Sequence, residues 1–299
     1  MPSVTDNTPR LTPGGAGRFV WTTLQGVVRI ASADVPVDRT GLLRAYLSVS
    51  AKELLLHRLL GLRPQRQRLL GYSVRCTNFT ALWLLIREIF VENCYAFEAS
   101  RGDPLVFDCG SNIGLSVLYF KHRYPAARVV AFEPSPHTFR ILEENLRRNA
   151  VRGVRAVNKA LGREPGLASF YFSADDLAEP SQGLVRNPRI RGLADCVEVP
   201  VVRLSESIDE PVDFLKIDVE GSEEGVLEDL VESGKMALVH GLALEYHHHL
   251  PPGTDKLSRV LQLLEEAGFT YTVSAPYRPT LPPDSGEDVF IRAYRCVAS

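Results

Sequence analysis

The sequence predicts an α/β chain built on a mostly parallel sheet, closed by a terminal antiparallel hairpin and preceded by a mainly helical N-terminal extension. Three observations lead there. From Leu105 onward, short apolar runs alternate with amphipathic helical stretches, as in a parallel sheet covered on both faces. The first of those runs ends in a carboxylate and a glycine-rich turn, the start of a ligand-binding strand–turn–helix unit. Ahead of residue 100 the apolar spacing is helical, at Leu42, Leu43, Tyr46 and Leu47 and on through Leu54 to Leu60 before Pro64. Residues 1–18 accordingly read as a flexible tail, 19–100 as the extension and 101–299 as the sheet domain.

Leu105-Val106-Phe107-Asp108 is a buried strand, and a helix follows from about Ile113 to Tyr124, where Pro125 stops it. Val129 to Phe132 is the second strand. Pro136 opens a helix with Phe139, Leu142 and Leu146 on one stripe, and with Glu143/Arg147 and Glu144/Arg148 in the favourable i,i+4 order. Val154 to Val157 is a third strand, and an antiparallel excursion runs through Ala168 to Phe172 and Val197 to Val202. The polar stretch between them, Ser173 to Ala194, reads as a surface loop of the length that lids and binding loops have. Asp213 to Ile217 is a fourth strand. Ser222 caps a helix with Glu223 and Glu224 in its first turn and Gly234 just past its end. Leu238 to Leu244 makes a fifth strand. Thr254 caps a last helix that carries Leu257, Val260, Leu261 and Leu264 and ends at Gly268, and Phe269 to Val273 pairs with Val289 to Tyr294.

A length of 299 residues allows one large domain or two small ones, and 45% hydrophobic with 23% charged residues is ordinary for a globular chain. The 34 basic and 36 acidic residues nearly cancel to −2, which argues against a protein that coats nucleic acid or an anionic membrane. Cys76, Cys94, Cys109, Cys196 and Cys296 are scattered and odd in number, without metal-site or disulfide spacing, so a reducing, cytoplasmic setting is expected. No signal pattern opens the chain, and no apolar run is long enough to cross a bilayer.

The chemistry is expected at Asp108-Cys109-Gly110-Ser111-Asn112-Ile113-Gly114-Leu115-Ser116. Gly110 and Gly114 let the backbone approach a ligand, and the helix N-terminus offers free N–H groups. A dinucleotide fingerprint counted from Gly110 needs glycines at 112 and 115, where Asn112 and Leu115 stand, so the dehydrogenase reading fails. Asp108 and Asn112 instead suit the amino-acid part of S-adenosylmethionine, and Glu133, ending the second strand in Ala131-Phe132-Glu133-Pro134, can accept hydrogen bonds from both ribose hydroxyls. An ordinary turn with a capping acid is the competing account of each half.

These blocks resemble the FkbM-type methyltransferases of the S-adenosylmethionine-dependent class I superfamily. The resemblance rests on Arg87-Glu88-Ile89-Phe90, on Asp108, Gly110, Asn112, Gly114 and Ser116, on Phe132-Glu133-Pro134, on Asn158-Lys159-Ala160-Leu161-Gly162, and above all on Asp213-Phe214-Leu215-Lys216-Ile217-Asp218-Val219-Glu220-Gly221. It implies a Rossmann-like sheet and methyl transfer to a hydroxyl oxygen, usually of a sugar or a polyketide-derived natural product. It also implies that the cofactor lies over Gly110 and Gly114, with Glu133 on the ribose and Asn158 to Ala160 beside the adenine.

Lys216, Asp218 and Glu220 alternate as a buried strand runs out at the ligand edge, so with period 2 they share one side. Lys216 and Asp218 can deprotonate or orient an attacking hydroxyl; a structural ion pair is the plainer reading, and Glu220 ranks below them as a helix start. Glu245-Tyr246-His247-His248-His249 follows the fifth strand, and His247, nearest its end, is the expected general base. Magnesium held by Asp218, Glu220, Glu245 and the histidines is the minority view, because that ion prefers oxygen ligands and no dense carboxylate cluster is evident; no metal is expected. Trp21, Trp83, Phe90, Tyr95 and Phe97 read as core rather than an acceptor pocket, and Arg147, Arg148, Arg152 and Arg155 as a solvated face. The expected function is therefore O-methylation of a small hydroxyl acceptor, with no nucleic-acid partner and with a homodimer through the extension considered. Methylation of a nitrogen or of a cell-surface glycan or glycolipid, and a non-catalytic cofactor-binding subunit, are the alternatives.

Overall fold

The computed structural model describes residues 13–32, 38–60, 65–76, 79–172, 183–185, 195–247, 256–275 and 288–295. The chain divides into two compact units, Met1–Cys94 and Tyr95–Ser299.

In the first unit, α1 (Pro13–Ser32) and α2 (Arg39–Ala51) are followed by wide helical turns at Lys52–Leu59, a hairpin of β1 (Arg66–Leu69) and β2 (Tyr72–Arg75), and α3 (Phe79–Ile86), which continues as wide turns through Arg87–Val91. α1 begins inside the stretch expected as tail. Pro13 suits a helical first turn, and burial of Phe19 and Ile30 overrides the poor propensity of the glycines before them. Gly26 is where α1 meets α2, since a Cβ there would fall 2.5 Å from the Tyr46 hydroxyl. Tyr46, Leu82, Trp83 and Phe90 form the core, and the Trp83 indole N–H donates to Ser50 Oγ at 3.0 Å. The hairpin was not legible in the sequence, because its four-residue strands carry three arginines and only Leu69 and Val74 turn inward as apolar anchors.

The second unit holds a seven-stranded sheet built from β3 (Leu105–Cys109), β4 (Arg128–Phe132), β5 (Val154–Val157), β9 (Phe214–Ile217), β10 (Gly241–His247), β11 (Thr270–Ser274) and β12 (Asp288–Tyr294). Their order is β11-β12-β10-β9-β3-β4-β5; the five from β10 to β5 are parallel and β12 is antiparallel to both neighbours. β3 and β9 are buried along their whole length, as central parallel strands must be. The helices are α4 (Leu115–Arg123), α5 (Pro136–Arg148), α6 (Glu223–Glu232) and α7 (Leu257–Glu266). Ser135 caps α5 by accepting from the Thr138 N–H at 3.3 Å, and Glu144 pairs with Arg148 at 3.0 Å. The excursion forms a separate small sheet, β6 (Ala160–Leu161), β7 (Gly166–Phe172) and β8 (Asp195–Val202), in the order β6-β8-β7.

Two local expectations are corrected. The apolar run from Met236 to Val239 is a short 3-10 turn at Lys235–Leu238 that fills the core, so the fifth parallel strand starts at Gly241 and reaches His247. Ser222 makes no side-chain cap; the Glu223 carboxylate accepts the Gly221 N–H instead, at 2.9 Å. Thr254, Cys296 and the Ser173 to Ala194 loop apart from residues 183–185 lie outside the described residues.

The chain leaves β3 toward β4 and β5 and then returns to the other flank of β3 as β9. That reversal opens a crevice at the carboxyl ends of β3 and β9, where open α/β sheets bind ligands.

Candidate active site

The turn after β3 is a glycine turn because of what presses on it. Gly110 has φ +86°, and a Cβ on it would sit 1.8 Å from the Asp218 carbonyl oxygen, so only glycine lets β3 and β9 end this close together. Gly114, at φ +90°, meets Leu142 of α5 in the same way, at 2.5 Å. Between them Asn112 takes a left-handed backbone, φ +47°, with its side-chain oxygen accepting the Ile113 N–H.

That backbone aims the Asn112 N–H at Glu133 Oε2, 2.9 Å away, while Glu133 Oε1 accepts the Ser135 N–H at 2.9 Å. Burial pushes the Glu133 carboxyl up to about 7 despite those two donors. Each oxygen keeps one lone pair, so the carboxylate retains capacity for two ribose hydroxyls. This donor and acceptor set fits an adenosyl cofactor: free acceptors on Glu133, a turn with close backbone approach, and the start of α4 beyond it.

Asp108 lies beneath the turn, wholly buried, accepting from Ser116 Oγ at 2.5 Å and sitting 3.3 Å from Lys216 Nζ. Asp108 and Ser116 thus brace the turn from below. Asn158 donates to the carbonyls of Glu133 and Pro134, at 2.8 and 2.9 Å, and fixes the end of β4. Ala160 packs with Phe170, Val199 and Val201 in the core of the small sheet.

Lys216 joins the two halves of the site. Its buried ammonium donates to the Gly110 carbonyl at 2.6 Å, lies 3.2 Å from Asp218 Oδ2, and stands 5.3 Å from the centre of the Tyr95 ring. Burial alone would lower its pKa, but Asp218 and Asp108 outweigh burial and hold it well above the usual lysine value. Of the two roles read from the sequence, the geometry fits orienting and not deprotonating.

β9 ends at Ile217, and the chain turns through Glu220, φ +53°, and Gly221. Asp218 and Glu220 converge by way of this turn, not by strand alternation. His247, at the end of β10, comes between them. Its Nδ1 is 2.8 Å from Glu223 Oε1, and its Nε2 is 3.2 Å from Glu220 Oε2 and 4.0 Å from Asp218 Oδ1. Burial opposes the imidazolium, yet Glu220 and Glu223 overcome it and raise the histidine well above its ordinary value. Burial likewise raises Glu220 to about 7, with His247 pulling the other way. The expected free base at His247 is therefore a charged ring clamped at both nitrogens, and Asp218, whose side chain is 25% exposed, is the carboxylate of this cluster most open to a substrate. Ligand atoms of Asp218, Glu220 and His247 all lie within 4.8 Å of one another, a metal-compatible grouping. His248 and His249 lie outside the described residues.

Sequence reasoning missed Glu223 and Tyr95 as parts of this cluster. Glu223 reads locally as a helix-start acid and Tyr95 as core, and only the β9–β10 pairing brings the first beside His247. Gly183, in the long polar loop, bridges to Tyr171 and leaves no room for a Cβ, which would stand 2.6 Å from the Glu220 carbonyl oxygen. Gly183 therefore lies against Glu220 of the acidic cluster. Tyr95 packs against Phe290 in the core and Phe97, half-buried, stacks on Phe214, whereas Trp21, expected as core with them, is 62% exposed.

Residues 108–271 match the Methyltransferase FkbM domain. Among curated proteins, "Methyltransferase 1" of Beauveria bassiana is 33% identical over 218 residues, which cover 66% of this chain and 84% of that protein. "31-O-demethyl-FK506 methyltransferase FkbM" of Streptomyces tacrolimicus is 32% identical over 231 residues, covering 67% of this chain and 86% of that one. Among solved structures, Methyltransferase FkbM from Methylobacillus flagellatus is 18% identical with a TM-score of 0.44, over 72% of this chain and 53% of that one. The chain belongs to the FkbM family of S-adenosylmethionine-dependent methyltransferases.

Proposed function

We propose that the enzyme methylates a hydroxyl oxygen of a sugar or a polyketide-type natural product. The observation that carries this reading is the accessible Asp218 carboxylate, fixed by Lys216 on one side and His247 on the other, at the crevice where β3 and β9 end. The name of the Streptomyces tacrolimicus relative, an O-demethyl compound's methyltransferase, supports an oxygen acceptor.

S-adenosylmethionine supplies a methyl group on a sulfonium and departs as the neutral thioether S-adenosylhomocysteine. The residues assigned to hold it are Glu133 on the ribose and the Gly110 to Gly114 turn, with Asp108, Ser116 and Asn158 bracing that frame. The chain's task at the acceptor is to orient one hydroxyl and remove its proton as the new O–C bond forms. Asp218 accepts the hydroxyl hydrogen bond and then the proton. His247 Nε2, between Asp218 and Glu220, hands its own proton to Glu220 and takes the one from Asp218, so the ring ends as it began and Glu220 holds the proton that the acceptor lost. Glu223 keeps the ring from turning. Alignment supplies most of the acceleration, and such a base contributes on the order of 10²–10⁴-fold.

No divalent cation enters this reading, because both imidazole nitrogens already face carboxylates and Lys216 neutralises Asp218 from the other side. Cys76, Cys94, Cys109 and Cys196, none of them in a disulfide among the described residues, support a reducing, cytoplasmic setting. Acceptor choice is assigned to the loop that contains Gly183.

The test is a panel of sugars, macrolides and their amine counterparts incubated with isotopically labelled cofactor and read by mass spectrometry. Label on oxygen, lost when that hydroxyl is blocked, is expected; label on nitrogen alone, or only on a lipid-linked or cell-surface glycan, would replace this acceptor assignment.

A further inference from the structure

We propose that α1 is an interfacial helix that seats the N-terminal unit on an anionic lipid surface. The helix has two apolar sides. One packs inward through Phe19, Gly26 and Ile30. The other faces solvent: Val20, Trp21, Leu24 and Val28 are 44, 62, 52 and 64% exposed and share one stripe at helical spacing. A helix at the surface of a purely soluble unit carries polar residues in that stripe. Here Gln25, Arg29 and Ser32 are exposed.

A groove of about 560 Å³ runs beside the stripe, lined by Trp21, Leu24, Val28 and Val91 together with Arg29 and with Arg87, which pairs with Glu92 at 2.9 Å. Its aliphatic and aromatic walls match an acyl chain, and Arg29, which donates to the Val91 and Glu92 carbonyls, offers the charge for an anionic headgroup.

Charge selects the occupant. α1 contains arginines and no acidic residue, and Met1–Cys94 as a whole has twelve Lys or Arg against six Asp or Glu. Tyr95–Ser299 has the opposite excess, twenty-two against thirty. The near-zero total thus conceals a cationic unit joined to an anionic one. The hairpin adds exposed Arg66 and Arg68 to the cationic unit. A second copy stacked through the same stripe would set two cationic units against each other, whereas a membrane surface rich in anionic lipid complements both the charge and the apolar stripe. No helix among the described residues is long and apolar enough to cross a membrane, so α1 would lie in the surface plane.

The chain's two tryptophans make the test direct, since Trp83 is buried and Trp21 exposed. The full-length protein is mixed with phosphatidylcholine vesicles or with vesicles containing about a third phosphatidylglycerol, then followed by co-sedimentation and tryptophan emission. Binding to the anionic vesicles only, a blue shift, and release by high salt are expected. Trp21→Ser with Leu24→Ser should weaken binding at least about tenfold, with the circular dichroism and methyl transfer to a water-soluble acceptor unchanged. Val28→Glu alone, on a folded protein, should weaken it as well. Absence of sedimentation with anionic vesicles, equal binding by the variants, or a dimer in light scattering that the same variants dissolve would overturn the proposal.

Discussion

At the level of single residues, Glu133 and Gly110 carry the clearest consequences. Glu133 is pushed by burial to about 7, and only its ionised form leaves acceptors for both ribose hydroxyls. The folded-state pKa is raised, so the proton is bound below about 7 and lost above it. Affinity for S-adenosylhomocysteine should therefore rise with pH through about 7 and level off, as calorimetry can measure. Glu133→Gln should remove that dependence and weaken binding by about ten- to a hundredfold, the worth of a hydrogen bond to a charged acceptor. Gly110→Ala forces a Cβ onto the Asp218 carbonyl from a left-handed backbone, and should cost about 2–5 kcal/mol in denaturant unfolding. Both residues were legible in the sequence, because a glycine turn and a strand-ending acid announce themselves locally. The burial of Asp108 and the packing of Ala160 were not, since each depends on a partner far along the chain, Lys216 in one case and Val199 and Val201 in the other.

At the level of elements, the parallel pairing of β9 with β10, Leu244 opposite Ile217, sets His247 beside the turn that follows β9. Apolar runs and helix punctuation foretold most strands and helices, and α5 begins at Pro136 as its cap and proline require. β10 was misplaced because an apolar run marks burial without fixing its conformation, and here Met236 and Val239 are buried from a tight turn. That shift moves His247 from a following loop into the strand, under the Glu223 carboxylate at the start of α6. Glu223→Gln should consequently free the ring, lower the imidazole pKa by removing one anion, and reduce kcat by about tenfold, one charge-assisted hydrogen bond, with cofactor affinity unchanged. Stopped-turnover kinetics beside calorimetry separates the two effects.

At the level of the whole molecule, the sheet reversal gathers two cations, Lys216 and His247, among the acids Asp108, Asp218, Glu220 and Glu223 at one edge. Exhaustive treatment with EDTA should leave turnover within about twofold, because Lys216 and the His247 imidazolium already supply the positive charge at Asp218. Restoration by magnesium of an activity lost to EDTA would reassign Asp218, Glu220 and His247 as ligands. The sequence made the family and the sheet domain readable, whereas the partition of charge between the two units is invisible in a net charge of −2. The measurement that bears most directly on the assigned chemistry is turnover of Asp218→Asn and His247→Ala on an identified hydroxyl acceptor at saturating cofactor. A loss of about 10²–10⁴-fold in kcat for Asp218→Asn, a marked loss for His247→Ala, and unchanged affinity for S-adenosylhomocysteine are expected; full turnover by both variants would contradict the assignment of this cluster as the proton acceptor.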